Sequence, residues 1–158
     1  MKKITLIFAV LFFSNCLFVI GKTTFERKPN KSEITITIHG IESEGGSVQL
    51  AVFDSRENFM HWDKTVILAS RKSQTPEVSF IFEGYYAPGE YSFIAYQDVN
   101  GNQQLDKLSS GLPREPFGMS ARDGIPKKMD WEATNVPITK INENIKIKLY
   151  TMEKLLKE

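Results

Sequence analysis

Apolar and polar residues alternate with period two in several short stretches of the chain. Ile34, Ile36 and Ile38 alternate with Thr35, Thr37 and His39, which predicts a half-buried β-strand rich in β-branched residues. Gly45-Gly46 marks a turn. Beyond it Val48, Leu50 and Val52 alternate with Gln49, Ala51 and Phe53, a second strand ending near Asp54. The stretch from Ser55 to His61 breaks the alternation. Ser55 is placed to cap a single helical turn through Arg56, Glu57 and Asn58, with Phe59, Met60 and Trp62 closing onto the core. Val66 to Ala69 predicts a short third strand and Val78 to Phe82 a fourth. After the turn pair Pro88-Gly89, Tyr91, Phe93 and Ala95 alternate with Ser92, Ile94 and Tyr96. Hydrophobes on both faces place this fifth strand centrally in its sheet.

Residues 98–130 follow no sustained period and contain Gly101, Gly111, Pro113, Pro116, Gly118, Gly124 and Pro126. Leu105, Leu108, Leu112, Phe117 and Met119 give this segment apolar contacts of its own, so it reads as one long ordered loop, a feature usually tied to function. Trp131 to Val136 predicts an edge strand, and Ile145, Ile147 and Leu149 alternate as the last strand. About seven short strands separated by turn residues predict an all-β chain folded as a β-sandwich, with an open barrel or a jelly roll as the alternatives. No βαβ rhythm, G-x-G-x-x-G or Walker pattern is present.

The N-terminus changes the picture. Met1-Lys2-Lys3 is basic, Ile4 to Ile20 is nearly all apolar, and Gly21-Lys22 opens a polar stretch, the pattern of a secretory signal peptide cut after Gly21. Acylation at Cys16 as a lipoprotein, or retention as an uncleaved anchor, are the rival readings. The partition is therefore a signal peptide at 1–21, a linker at 22–32, a β-domain at 33–150 and a charged tail at 151–158. Export to the periplasm or outside the cell is expected, and contact with the membrane only while the signal inserts. The whole chain carries 20 basic and 19 acidic residues; without Lys2 and Lys3 the balance is 18 to 19. That balance gives no electrostatic footprint for a nucleic-acid partner. The single cysteine lies in the signal, which excludes a disulfide scaffold.

The candidate chemistry centres on Asp98-Val99-Asn100-Gly101-Asn102-Gln103-Gln104-Leu105-Asp106. Asp98, Asn100, Asn102 and Asp106 put oxygens at relative positions 1, 3, 5 and 9, the spacing with which a curled loop surrounds calcium at about 2.3–2.6 Å. Gln103 stands where an EF-hand has glycine and Ser109 where it has glutamate, so any calcium site here is weak. The other reading is turn chemistry: Asn100-Gly101 is a preferred turn pair, and Asx side chains bond their own backbone. Asp98, Asp106, Glu115 and Asp123 also raise a glycosidase reading, which requires two carboxyls at a set separation. His39 and His61 with Ser109, Ser110 or Ser120 raise a hydrolytic set, but Ser109-Ser110-Gly111 lacks the leading glycine of a nucleophile elbow. Tyr85, Tyr86, Trp62 and Trp131 are either ring platforms for a partner or packing residues.

Two segments resemble a known family. They are Ala87-Pro88-Gly89-Glu90-Tyr91 with Ala95 to Asn102 and Leu105-Asp106, and then Gly111-Leu112-Pro113-Arg114-Glu115-Pro116-Phe117-Gly118-Met119-Ser120. In this order they are similar to the two signatures of small exported bacterial proteins called domain of unknown function 2141, over about Glu33 to Tyr150. Gln103-Gln104 replaces the family's usual Gly-Lys, Met119 an aromatic residue, and Ala121-Arg122 the asparagines that often follow Ser. The resemblance implies export and an immunoglobulin-like or transthyretin-like β-sandwich, and implies no activity. The expectation is thus an exported, non-enzymatic binding or structural module of the bacterial envelope. Its 98–120 loop face, with Asp98, Asn100, Asn102, Asp106, Glu115 and Phe117, would meet an envelope protein or glycan. The alternative is an envelope hydrolase acting on a glycan or ester through the loop carboxylates.

Overall fold

The computed structural model describes residues 32–84, 87–122, 126, 128–139 and 142–155. The expected signal peptide, the linker up to residue 31, Tyr85, Tyr86, Asp123 and the last three residues of the tail lie outside the described residues.

The strands are β1 (Ser32–His39), β2 (Ser47–Phe53), β3 (Ile67–Lys72), β4 (Glu77–Gly84), β5 (Gly89–Asp98), β6 (Phe117–Met119), β7 (Asn135–Ile138) and β8 (Asn142–Lys148). They form two sheets, not a closed barrel. One sheet runs β4-β1-β8, and the other runs β3-β2-β5-β6 with β7 also on β5. The first strand and the last pair in parallel, so that His39 stands opposite Lys148; all other strand pairs are antiparallel.

The alternation read in the sequence sets the layers. Ile34, Ile36, Ile38, Val78, Phe80 and Ile147 from one sheet meet Val48, Leu50, Val52, Phe93 and Ala95 from the other in a single buried cluster. The larger sheet is buried on its other face as well. There Ala51, Phe53, Ile94, Tyr96, Phe117 and Met119 form a second cluster, covered by Phe59, Met60, Leu105, Trp131 and Met152. This accounts for the apolar residues on both faces of β5, which lies inside its sheet with β2 on one side.

The other side of β5 is divided. β7 pairs with Gly89–Ser92, and β6 with Ile94–Tyr96. Phe93 falls in the gap, and Ser120 fills it. The Phe93 amide donates to Ser120 Oγ at 2.9 Å, and the Ser120 amide donates to the Phe93 carbonyl at 2.8 Å. The same hydroxyl donates to the Thr134 carbonyl at 2.6 Å, tying β7's lead-in to the splice.

Several sequence expectations change in detail. Trp131–Thr134 is a helical turn (α1), not strand, because the Asp130 side chain accepts from the Ala133 amide and caps it; the edge strand begins at Asn135. Ser55 is a bend, residues 56–60 form a hydrogen-bonded turn, and the helical turn lies later, as a 3-10 turn at Trp62–Lys64. Trp62 still reaches the core edge, with its ring 6.0 Å from Phe53 and 6.1 Å from Tyr96. The third strand runs on through Ser70, Arg71 and Lys72, polar residues suited to a sheet edge. The fourth extends from Glu77 to Gly84. The tail opens with one helical turn (α2, Met152–Leu155), which carries Met152 onto the second cluster.

The 98–130 segment is not one uninterrupted loop. β6 divides it and crosses to the other sheet's end, where Phe117 and Tyr150 exchange both backbone hydrogen bonds, at 3.0 and 2.9 Å. Gly118 permits that approach: a Cβ there would lie 2.2 Å from the Lys148 carbonyl oxygen.

Candidate functional site

Asp98 is the last residue of β5 and is fully buried. One carboxylate oxygen accepts from the amides of Gly101 at 2.8 Å and Asn102 at 3.1 Å; the other accepts from Gln103 at 2.8 Å. Gly46 packs against the same corner, where a Cβ would lie 1.8 Å from the Asp98 carbonyl oxygen and where φ is +64°. Asn100 Oδ1 accepts from the Asn102 amide at 3.0 Å, and Asn102 Oδ1 from the Gln104 amide at 2.8 Å. Their two side-chain amides both donate to Asp106, at 2.7 and 3.0 Å. The structure thus brings together the four residues singled out by spacing, and their hydrogen bonds run among themselves and the loop's own amides.

Glu115 completes the arrangement from seventeen residues away in sequence (115 against 98). It is 6% exposed; Oε1 accepts from the Val99 amide at 2.9 Å and Oε2 from the Asp106 amide at 3.2 Å. Between those points Lys107 bridges Pro113, and the Arg114 amide donates to the Asp106 carbonyl at 2.8 Å. The result is a clasp: one buried carboxylate holds the inside of the first turn, and a second holds both of its ends. Burial, and then the charges of Asp98 and Glu115, push the Tyr96 phenol up to about 12.

This geometry bears on each proposed chemistry. The carboxylate oxygens of Asp98 and Glu115 accept backbone amides. Asp98 borders an open cavity of about 340 Å³ with Ser47, Gln49, Leu68, Ala69 and Ser70, and no second carboxylate among the described residues lines it. Of the serines weighed for a hydrolytic set, Ser120 is buried as the splice at Phe93, while Ser109 and Ser110 are exposed in a turn. His61 is exposed at the start of the 3-10 turn, and His39 ends β1. Among the described residues no group of three or more His, Cys, Asp or Glu is arranged to hold a metal ion. Calcium at Asp98, Asn100, Asn102 and Asp106 would have to compete with the loop amides for the same oxygens.

Phe117, the last of the predicted face residues, leads to a feature the sequence did not disclose. It lines a cavity of about 380 Å³ between β6 and β8, with Met119, Met129 and Tyr150 as apolar wall and His39, Lys146 and Lys148 as the basic side. The Lys148 ammonium stands 4.6 Å from the centre of the Tyr150 ring. The signal in the sequence was the alternation of Lys146 and Lys148 with Ile145 and Ile147 along β8, which puts both lysines on one face. Nothing local indicates that β6 arrives beside them. No helix among the described residues is long and apolar enough to cross a membrane.

No curated protein and no solved structure is significantly similar to the chain. A family model described as an uncharacterised protein conserved in bacteria matches residues 36–146, which takes in the clasp, the splice at Ser120 and most of both sheets. The chain belongs to that family, DUF2141.

Proposed function

We propose that the protein is an exported, non-enzymatic β-sandwich module of the bacterial envelope, of immunoglobulin-like or transthyretin-like type. It recognises an envelope protein or glycan on the 98–120 face. The observation that carries this reading is the use of the clasp's buried carboxylates: Asp98 and Glu115 accept five backbone amides between them, which suits a rigid recognition loop rather than acid–base chemistry. The polar edge of the clasp, with Asn100 and Asn102 exposed and Asp106 half-buried, and the cavity beginning at Phe117 are then the contact surface. The basic, apolar N-terminus supports export.

The test joins two measurements. Intact mass of the protein recovered from the envelope compartment reads the cut after Gly21. Retention of the purified protein on envelope glycan and on envelope protein extract is compared with that of the Asn100→Ala/Asn102→Ala/Asp106→Ala variant. Reduced retention of a variant that melts cooperatively supports the reading; equal retention of both proteins, or recovery of uncut chain in the cytoplasm, contradicts it.

A second reading has one observation in its favour. Gln103 adopts a left-handed backbone, φ +62°, at the sixth position counted from Asp98, where a calcium loop makes its sharp turn. A weak calcium site in the clasp, with the asparagine carbonyls turned inward, is compatible with the same binding module.

A further inference from the structure

We propose that the cavity between β6 and β8 binds a detached, single-chain amphipathic anion of fatty-acid size. The inference rests on the binding-module reading above and names a ligand class for one part of its face. Phe117, Met119 and Tyr150 are buried and give the cavity an apolar wall; Met129, 46% exposed, adds a flexible thioether at its mouth. Basic residues line it as well. Lys146 and Lys148 lie two residues apart on the outward face of β8, and His39 stands beside Lys148 across the parallel pair. No carboxylate among the described residues lines the cavity.

A neutral apolar ligand would leave the lysines without gain, and a small inorganic anion would leave the apolar wall uncovered. A molecule with an apolar chain and one acidic head satisfies both. Size narrows the class further. About 380 Å³ lies near the lower end of the roughly 300–1,000 Å³ typical of small-molecule sites, which suits one chain rather than a two-chain lipid. The Lys148 ammonium lies over the Tyr150 ring, beside the apolar wall, where it can meet the acidic head.

Calorimetric titration of the purified protein with decanoate, decanol and decyltrimethylammonium tests this. Saturable 1:1 binding of decanoate is expected, with the cation at least about tenfold weaker. Lys146→Ala/Lys148→Ala should weaken decanoate about five- to thirtyfold and leave decanol unchanged, because two partly exposed ion pairs are removed. Met129→Glu, at an exposed position, should abolish decanoate binding without lowering the melting temperature. Equal affinity for anion and cation, or charge variants without effect, overturns the proposal. Sedimentation with phosphatidylglycerol vesicles without decanoate binding overturns the detached ligand in favour of a membrane surface. Envelope retention measured on the same variants separates the two readings: retention without decanoate binding removes this ligand class and leaves the binding module in place.

Discussion

Asp98 and Glu115 divide the amide hydrogens of one loop between them. Asp98 takes those of Gly101, Asn102 and Gln103, and Glu115 takes those of Val99 and Asp106. Burial of a carboxylate is costly unless it is hydrogen-bonded, and an unpaired buried amide is costly too. Each group here removes the other's penalty, so the loop is ordered by its own polar atoms.

The two aspartates of the clasp should differ sharply in their effect on stability. Asp98→Ala leaves the Gly101 and Gln103 amides without their acceptor and the Asn102 amide with Asn100 Oδ1 alone, and should cost about 2–4 kcal/mol. Asp106→Ala removes two bonds from exposed side-chain amides, which water replaces, and should cost about 0.5 kcal/mol or less. Urea unfolding of both variants measures the contrast. Equal losses would mean that Asp98 is not the organising residue.

Tyr96 should make the protein sensitive to alkali. Its phenol is raised from 10.0 to about 12 by burial and by the nearby Asp98 and Glu115 charges. The folded state therefore holds this proton where the unfolded chain has released it. That stability is fully present below pH 10 and is lost as pH rises towards 12. Melting temperature should fall across that window, and Tyr96→Phe should flatten the fall. An ultraviolet titration in which every tyrosine ionises together near pH 10 would contradict this.

The splice on β5 predicts two costly small changes. Ser120→Ala deprives the buried Phe93 amide and Thr134 carbonyl of a partner and should cost about 2 kcal/mol. Gly118→Ala forces a methyl against the Lys148 carbonyl and should cost about 2 kcal/mol or more, since backbone has to move. Denaturant midpoints test both. A neutral Gly118→Ala would mean that β6 and β8 do not approach as described.

The strands were legible because burial imposes period two on Ile34 to Ile38, while Val48 to Phe53 and Tyr91 to Tyr96 are short, largely apolar runs buried on both faces. The start of β7 was misread because Trp131 and Val136 look alike as strand residues; the cap at Asp130 decides the matter through one side-chain bond. Within the clasp, spacing brought out Asp98, Asn100, Asn102 and Asp106 together, since Asx turns are local. The position of Glu115 over both loop ends, and the cavity beside Lys146 and Lys148, depend on strands meeting from distant parts of the chain. Periodicity holds no information about such meetings.

The central claim is that the carboxylates of the clasp are satisfied by the chain's own amides. Thermal melts of the protein in calcium, in magnesium and in chelator test it most directly. A calcium site of millimolar Kd would add about 1.4 kcal/mol at ten times that concentration, a shift of a few degrees. Magnesium serves as the control for salt, because it dehydrates reluctantly and fits such a loop poorly. Superimposable curves in all three are the predicted result. A melting temperature raised by calcium alone, and lost in Asp98→Asn, would contradict the claim and establish the clasp as a cation site.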